Sequence, residues 1–112
     1  GAYQRATDPW VTFGLNGIAY QLSLSFNDIE PPLTTFDFDH ALLASRSTDG
    51  GLTWSDPVVV IRDTAPTVFN DKQTITADPT TAGYVYAVWD RLVFPPARSA
   101  VPPGSRVPPT RA

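Results

Sequence analysis

The stretch Ser47-Thr48-Asp49-Gly50-Gly51-Leu52-Thr53-Trp54 constrains this chain more than any other. It joins an apolar run, Ala41-Leu42-Leu43-Ala44-Ser45, to a β-branched run, Val58-Val59-Val60-Ile61. Short polar residues between two such runs read as the turn of a β-hairpin. Ser47 and Asp49 can accept hydrogen bonds from backbone N–H groups of their own turn, and Gly50 and Gly51 permit the positive φ it needs. Trp54 can fold back as an apolar lid, its indole N–H reaching a carbonyl or water.

The spacing Ser-x-Asp-x-Gly-x-Thr-Trp, carried here by Ser47, Asp49, Gly51, Thr53 and Trp54, resembles the Asp-box of the sialidase (bacterial neuraminidase repeat) superfamily of β-propellers. Asp8-Pro9-Trp10 and the run Tyr84-Val85-Tyr86-Ala87-Val88-Trp89-Asp90-Arg91 are similar to bacterial sialidase-type repeats. The resemblance implies that the box is the turn between the third and fourth strands of a blade and that its role is structural. Asp49 is accordingly read as a structural residue, in preference to a catalytic one.

Along the chain, Asp8 to Phe13 alternates as a strand does, and Gly14-Leu15-Asn16-Gly17 is a turn signal. Ile18 to Phe26 then places Ile18, Tyr20, Leu22, Leu24 and Phe26 on one face, with Ala19, Gln21, Ser23 and Ser25 on the other. A loop follows from Asn27 to His40, with Pro31-Pro32, the carboxylates Asp28, Glu30, Asp37 and Asp39, and His40. Strands over Ala41–Ser45 and Trp54–Arg62 complete a four-stranded unit. The order then restarts: Asp71 heads a strand, Asp78 to Gly83 is a turn and Tyr84 to Trp89 is an aromatic-rich strand. Asp8 and Asp71 lie 63 positions apart and Tyr20 and Tyr86 lie 66 apart, which makes the second turn three residues longer and points to an array.

The expected fold is all-β: a partial propeller of the sialidase type, with a complete antiparallel blade over 8–63 and the inner half of the next over 64–92. Residues 1–7 would end a preceding segment. Residues 93–112 form a Pro/Arg-rich tail of linker composition, expected to be disordered. A closed ring needs about four to eight blades of roughly 40–50 residues, so 112 residues supply a fraction of one.

Residues 1–92 hold all eleven acids against five bases. An acidic body argues against a nucleic-acid partner, which needs a basic face. The longest apolar runs fall far short of the roughly 20 residues of a membrane span. With no cysteine there is no disulfide framework and no thiolate metal site.

A meander alternates its connections between two ends of the sheet, so the acidic loop over 27–40 and the loop over 63–71 share the end opposite the Asp-box turn. The resemblance places a sialidase active site on that face. Glycoside hydrolysis uses a proton donor and a nucleophile or base, and the resemblance implies a tyrosine nucleophile and three arginines that clamp a substrate carboxylate. The family's Phe/Tyr-Arg-Ile-Pro motif is absent, Tyr3-Gln4-Arg5-Ala6 being a poor substitute. The rim candidates are Asp39 with His40 as an acid and its modulator, against a solvated loop pair; Tyr86 as nucleophile, against core packing; and Arg91 as clamp, against a salt bridge with Asp90 or Asp71. Asp71 is the remaining rim candidate, against a reading in which it and the matching Asp8 cap strand starts. No cofactor is expected beyond a calcium ion on Asp37 and Asp39.

The resemblance implies a parent that acts on glycans, with exo-α-sialidase the nearest activity and a secreted or cell-surface address. Its partners would be a glycan and the remaining blades, and the segment alone would be inactive. The alternative is a non-catalytic Asp-box propeller that binds or scaffolds.

Overall fold

The computed structural model describes residues 3–27 and 38–95. Among these residues six strands form two antiparallel sheets: β1 (Arg5–Phe13), β2 (Ala19–Phe26), β3 (His40–Ser47) and β4 (Val58–Asp63) in one, β5 (Val68–Ala77) and β6 (Val85–Val93) in the other. The first sheet is a simple meander, β1-β2-β3-β4. One short 3-10 turn over Leu15–Gly17 links β1 to β2. The chain is therefore all-β, and the expected four-stranded unit followed by a two-stranded one is present. Asp28, Glu30 and Asp37 of the acidic loop, and residues 96–112 of the tail, lie outside the described residues.

Alternation along β2 decides which face is buried. Leu22 and Leu24 are buried, opposite Ala44 and Leu42 of β3 respectively, and Leu42 in turn stands beside Ile61 of β4. Laid over this face is the β5–β6 hairpin, whose Ile75 completes a cluster with Leu22, Leu24 and Leu42, flanked by Tyr20, Phe26, Val85, Ala87 and Trp89. Each fully buried leucine contributes about 1.5–3 kcal/mol. On the opposite face small residues predominate, among them Ser23, Ser25 and Ala41, all buried.

Side chains tie the two sheets together where their backbones do not pair. Thr12 Oγ1 accepts from Ala77 N at 3.2 Å, and Gln73 Nε2 donates to Asp8 O at 2.8 Å. Gly14 sits where no side chain fits easily: a Cβ there would come within 3.0 Å of Tyr20 Cε2 and 3.5 Å of Ala77 Cβ.

Both units carry the same irregularity. The β1–β2 ladder slips between Thr7 and Trp10, and the β5–β6 ladder slips between Asp71 and Thr74. Positive φ occurs at Asp8 (52°) and Lys72 (56°) inside these bulges. Structurally equivalent residues of β1 and β5 are thus 64 apart, Asp8 matching Lys72 and Thr7 matching Asp71. The β5–β6 turn is accordingly longer by two residues, closed by Asp78 N to Tyr84 O as Gly14 N to Ile18 O closes the first.

Three expected boundaries move. Asp8 and Asp71 are not strand caps, because β1 begins at Arg5 and β5 at Val68, which places both carboxylates at interior bulges. The fourth strand begins at Val58 instead of Trp54, since Trp54 and Ser55 are used by the preceding turn. Val93 belongs to β6, and Phe94 N bonds Thr67 O at 2.7 Å, so the ordered hairpin runs past residue 92.

Candidate functional site

The β3–β4 turn is a closed set of short-range hydrogen bonds. Ser47 Oγ donates to Asp49 Oδ1 at 2.8 Å and accepts from Gly51 N at 2.9 Å. Asp49 also accepts from Thr53 N at 2.9 Å and from the Thr53 hydroxyl. Gly50 and Gly51 have φ of 76° and 92°, and Trp54 Nε1 reaches Gly51 O at 3.1 Å. The Thr53 hydroxyl and amide, with Ser47, hold the Asp49 carboxyl down at about 2. Every oxygen of Asp49 is engaged in the turn, and a carboxylate so held gives up no proton near neutral pH.

At the other end of the sheet, His40 opens β3 and is buried, not part of a solvated loop. Its Nε2 accepts from the backbone N–H of Asn70 at 2.9 Å, which leaves Nδ1 to carry the proton and donate to Phe38 O at 2.9 Å. Both ring nitrogens are occupied, and the imidazole is neutral in this arrangement. Asn70 is fully buried. Its Nδ2 donates to Asp63 Oδ2 at 2.8 Å, and its Oδ1 accepts from Trp89 Nε1 at 3.1 Å. This network joins β3, β4, β5 and β6 at one point.

Asp39 forms a two-pronged pair with Arg62, Nε to Oδ1 at 2.9 Å and Nη2 to Oδ2 at 2.5 Å, and also accepts from Tyr3 Oη at 2.6 Å. These bonds, Arg62's first, hold the Asp39 carboxyl down at about 2. Tyr3 is pushed up to about 12, by burial first and by Asp39 second. Arg91 pairs with Asp63, at 3.2 Å from Nη2 to Oδ1, and not with the expected Asp90 or Asp71. Asp63 is lowered, chiefly by the bond from Asn70 and then by Arg91.

Tyr86 is remote from this end. It stands opposite Thr76, beside the Asp78–Gly83 turn, whereas Arg91 stands opposite Asn70. Five residue steps along β6 separate them by roughly 17 Å. The hydroxyl donates to Asp78 Oδ2 at 2.7 Å, and that bond to a carboxylate raises the phenol. More than half exposed, Tyr86 is not a core residue either.

Between sheet and hairpin, at the His40 end, opens a cleft of about 540 Å³. Leu24, Phe26, Phe38, Val68 and Phe69 form its apolar lining, and the Phe69 ring lies tilted against His40 with centroids 5.0 Å apart. Asp8, Asp39 and Asp71 supply its charge. Two of these carboxylates, Asp8 and Asp71, lie at the paired bulges, where the local slip in register re-aims side chains. The volume falls within the usual range of small-ligand sites, about 300–1,000 Å³.

Of the rim candidates, the fold brings Asp39, His40 and Asp71 to this cleft, places Arg91 nearby on Asp63, and leaves Tyr86 at the far end. Arg62 and Tyr3, which fix Asp39, and the three phenylalanines are the residues that sequence reasoning did not single out. Among the described residues no three His, Cys, Asp or Glu side chains are grouped to hold a metal ion. Asp37, the second ligand of the expected calcium pair, lies outside the described residues. No helix among the described residues is long and apolar enough to cross a membrane. Comparison with protein-family models, with curated protein sequences and with solved structures finds no match to the chain.

Proposed function

We propose that this chain is a segment of a sialidase-like Asp-box propeller, one blade and the inner hairpin of the next, and that it contributes a glycan-binding cleft to that ring. The observation that carries the reading is the aromatic, carboxylate-bearing cleft at the end of the sheet opposite the Asp-box turn. Phenylalanine faces suit the apolar side of a sugar ring, and carboxylates suit its hydroxyls.

Binding is favoured over bond cleavage as this segment's own task. Asp39 is committed to Arg62 and Tyr3, both His40 nitrogens are bonded, and Tyr86 is far away with a raised phenol. Proton donor and nucleophile would have to come from other blades of a parent whose nearest family activity is exo-α-sialidase. Secretion or cell-surface display follows from the same reading. Incubating the 112-residue chain with a fluorogenic sialoside should release no fluorophore; turnover abolished by Tyr86→Phe or Arg91→Ala would overturn it.

A further inference from the structure

Across the offset of 66, β6 corresponds to β2, and the two strands differ in how much of their backbone is paired. β2 pairs with β1 along one edge and with β3 along the other. β6 pairs with β5 alone, and no strand among the described residues lies along its second edge. An antiparallel ladder uses the N–H and C=O groups of alternate residues on each side, so half of those in β6 point away from β5. Residues 95–112 do not supply the missing strand. Six prolines leave no proline-free run there longer than five residues, and proline cannot donate to a ladder. Nor is the edge blunted. The other three strands at a sheet edge each carry a bulge: Asp8 and Pro9 in β1, Val60 in β4, and Lys72 and Gln73, which together face Trp89, in β5. Bulges turn an edge away from further pairing. β6 has none, and runs for nine residues whose only charges are Asp90 and Arg91.

We propose that the free edge of β6 pairs with the same edge of a second copy of this chain, antiparallel and two-fold about Trp89, joining two hairpins into one four-stranded sheet. This is the register that uses all nine residues. It sets Val85 opposite Val93, Tyr86 opposite Leu92, Ala87 opposite Arg91 and Val88 opposite Asp90, each pair occurring twice. Opposed residues differ by an even number, so outward-pointing backbone groups of one copy meet outward-pointing groups of the other. No like charges come face to face, whereas centring the pairing on Asp90 or on Arg91 would set that residue against itself. Tyr86, Val88 and Leu92, each more than two-fifths exposed, then run as one apolar stripe across both copies. The inference is independent of the glycan reading. In a complete blade a third strand would take this edge, as β3 does on β2, so the pairing belongs to the 112-residue chain itself.

Sedimentation equilibrium and hydrogen exchange of the full chain test this together. A monomer–dimer equilibrium is expected. As concentration rises, amides at alternate positions of β6 should exchange more slowly, and by more than their neighbours bonded to β5. Position 88 reports the register, because its side chain is exposed on the open face and meets Asp90 of the other copy twice. Val88→Lys places two opposite-charge pairs across the seam and should tighten the dimer about fivefold at low salt, while Val88→Asp should loosen it by about as much. Adding Asp90→Lys to Val88→Asp should restore it. A chain that stays monomeric to millimolar concentration, a dimer in which β6 exchange ignores concentration, or equal effects of Val88→Lys and Val88→Asp would each overturn the pairing. None of these results bears on the glycan reading, which the sialoside assay tests separately.

Discussion

Asn70 is the residue on which the junction of the two sheets turns, and replacing it gives a prediction with an internal control. In Asn70→Ala the indole N–H of Trp89 loses its acceptor, and Asp63 loses a donor at 2.8 Å. A neutral bond contributes about 1 kcal/mol and one to a charged group about 1.5–3, so the expected loss is roughly 2–4 kcal/mol. For a domain of this size each 1 kcal/mol lowers Tm by about 4–8 °C, so the fall should exceed about 8 °C. Asn70→Asp keeps the shape and should be worse than Asn70→Ala. The introduced carboxylate would put an oxygen against Asp63 Oδ2 and against His40 Nε2, both of which are acceptors here. Two carboxylates at that distance cannot both stay ionised cheaply, so the deficit of Asn70→Asp relative to Asn70→Ala should shrink as pH falls toward the carboxyl range. Urea unfolding followed by tryptophan fluorescence measures both. An Asn70→Asp variant more stable than Asn70→Ala at neutral pH would refute the hydrogen-bond assignment around His40.

Two further outcomes follow from the carboxylates. Asp39, Asp49 and Asp78 are each held at about 2 in the fold, against an ordinary value of 3.8. Groups lowered on folding stabilise above the unfolded value and lose that contribution as pH falls through the folded one, so Tm should drop between about pH 4 and 2; a Tm level from pH 5 to 2 would contradict the turn geometry. In an alkaline titration followed by phenolate absorbance, Tyr3 should ionise at about 12 in the native chain and earlier in Asp39→Asn, which removes the charge its hydroxyl faces. No change in the last phenol transition would contradict the Tyr3–Asp39 bond.

How far the sequence could be read depends on how far apart the partners lie. The β3–β4 turn was legible because its bonds span two to four residues, so spacing alone fixes which oxygen meets which N–H. The strand order followed from alternation and turn residues for the same local reason. The site did not. His40 meets Asn70 thirty positions away and Asp39 meets Arg62 twenty-three away, and such partners are chosen by register and by how the hairpin lies on the sheet. His40 looked like the end of a polar loop, yet its ring is a buried cross-link. The repeat offset illustrates the limit differently. Asp8 and Asp71 share a letter, but the residue that takes positive φ in the second bulge is Lys72; backbone geometry, not side-chain identity, defines the equivalent position. The cleft's aromatic lining was hidden because Phe26 reads as core by alternation, while Phe38 precedes β3 and Phe69 opens β5, far apart in sequence.

The matched bulges also bear on why a ring is proposed. Carried across the offset of 66 between β2 and β6, Tyr20, Leu22 and Phe26 correspond to Tyr86, Val88 and Leu92. In the first unit this face is covered by the hairpin, through Ile75 and its neighbours. In the hairpin the corresponding face is open, with Val88 68% exposed. Each unit thus offers one face and covers the other, which is a heterologous, head-to-tail contact. Such contacts either continue without end or close by rotation into a ring. Two units related as these are cannot satisfy each other reciprocally, and under the proposed propeller reading the open face of the hairpin would be covered by a further unit of the same kind.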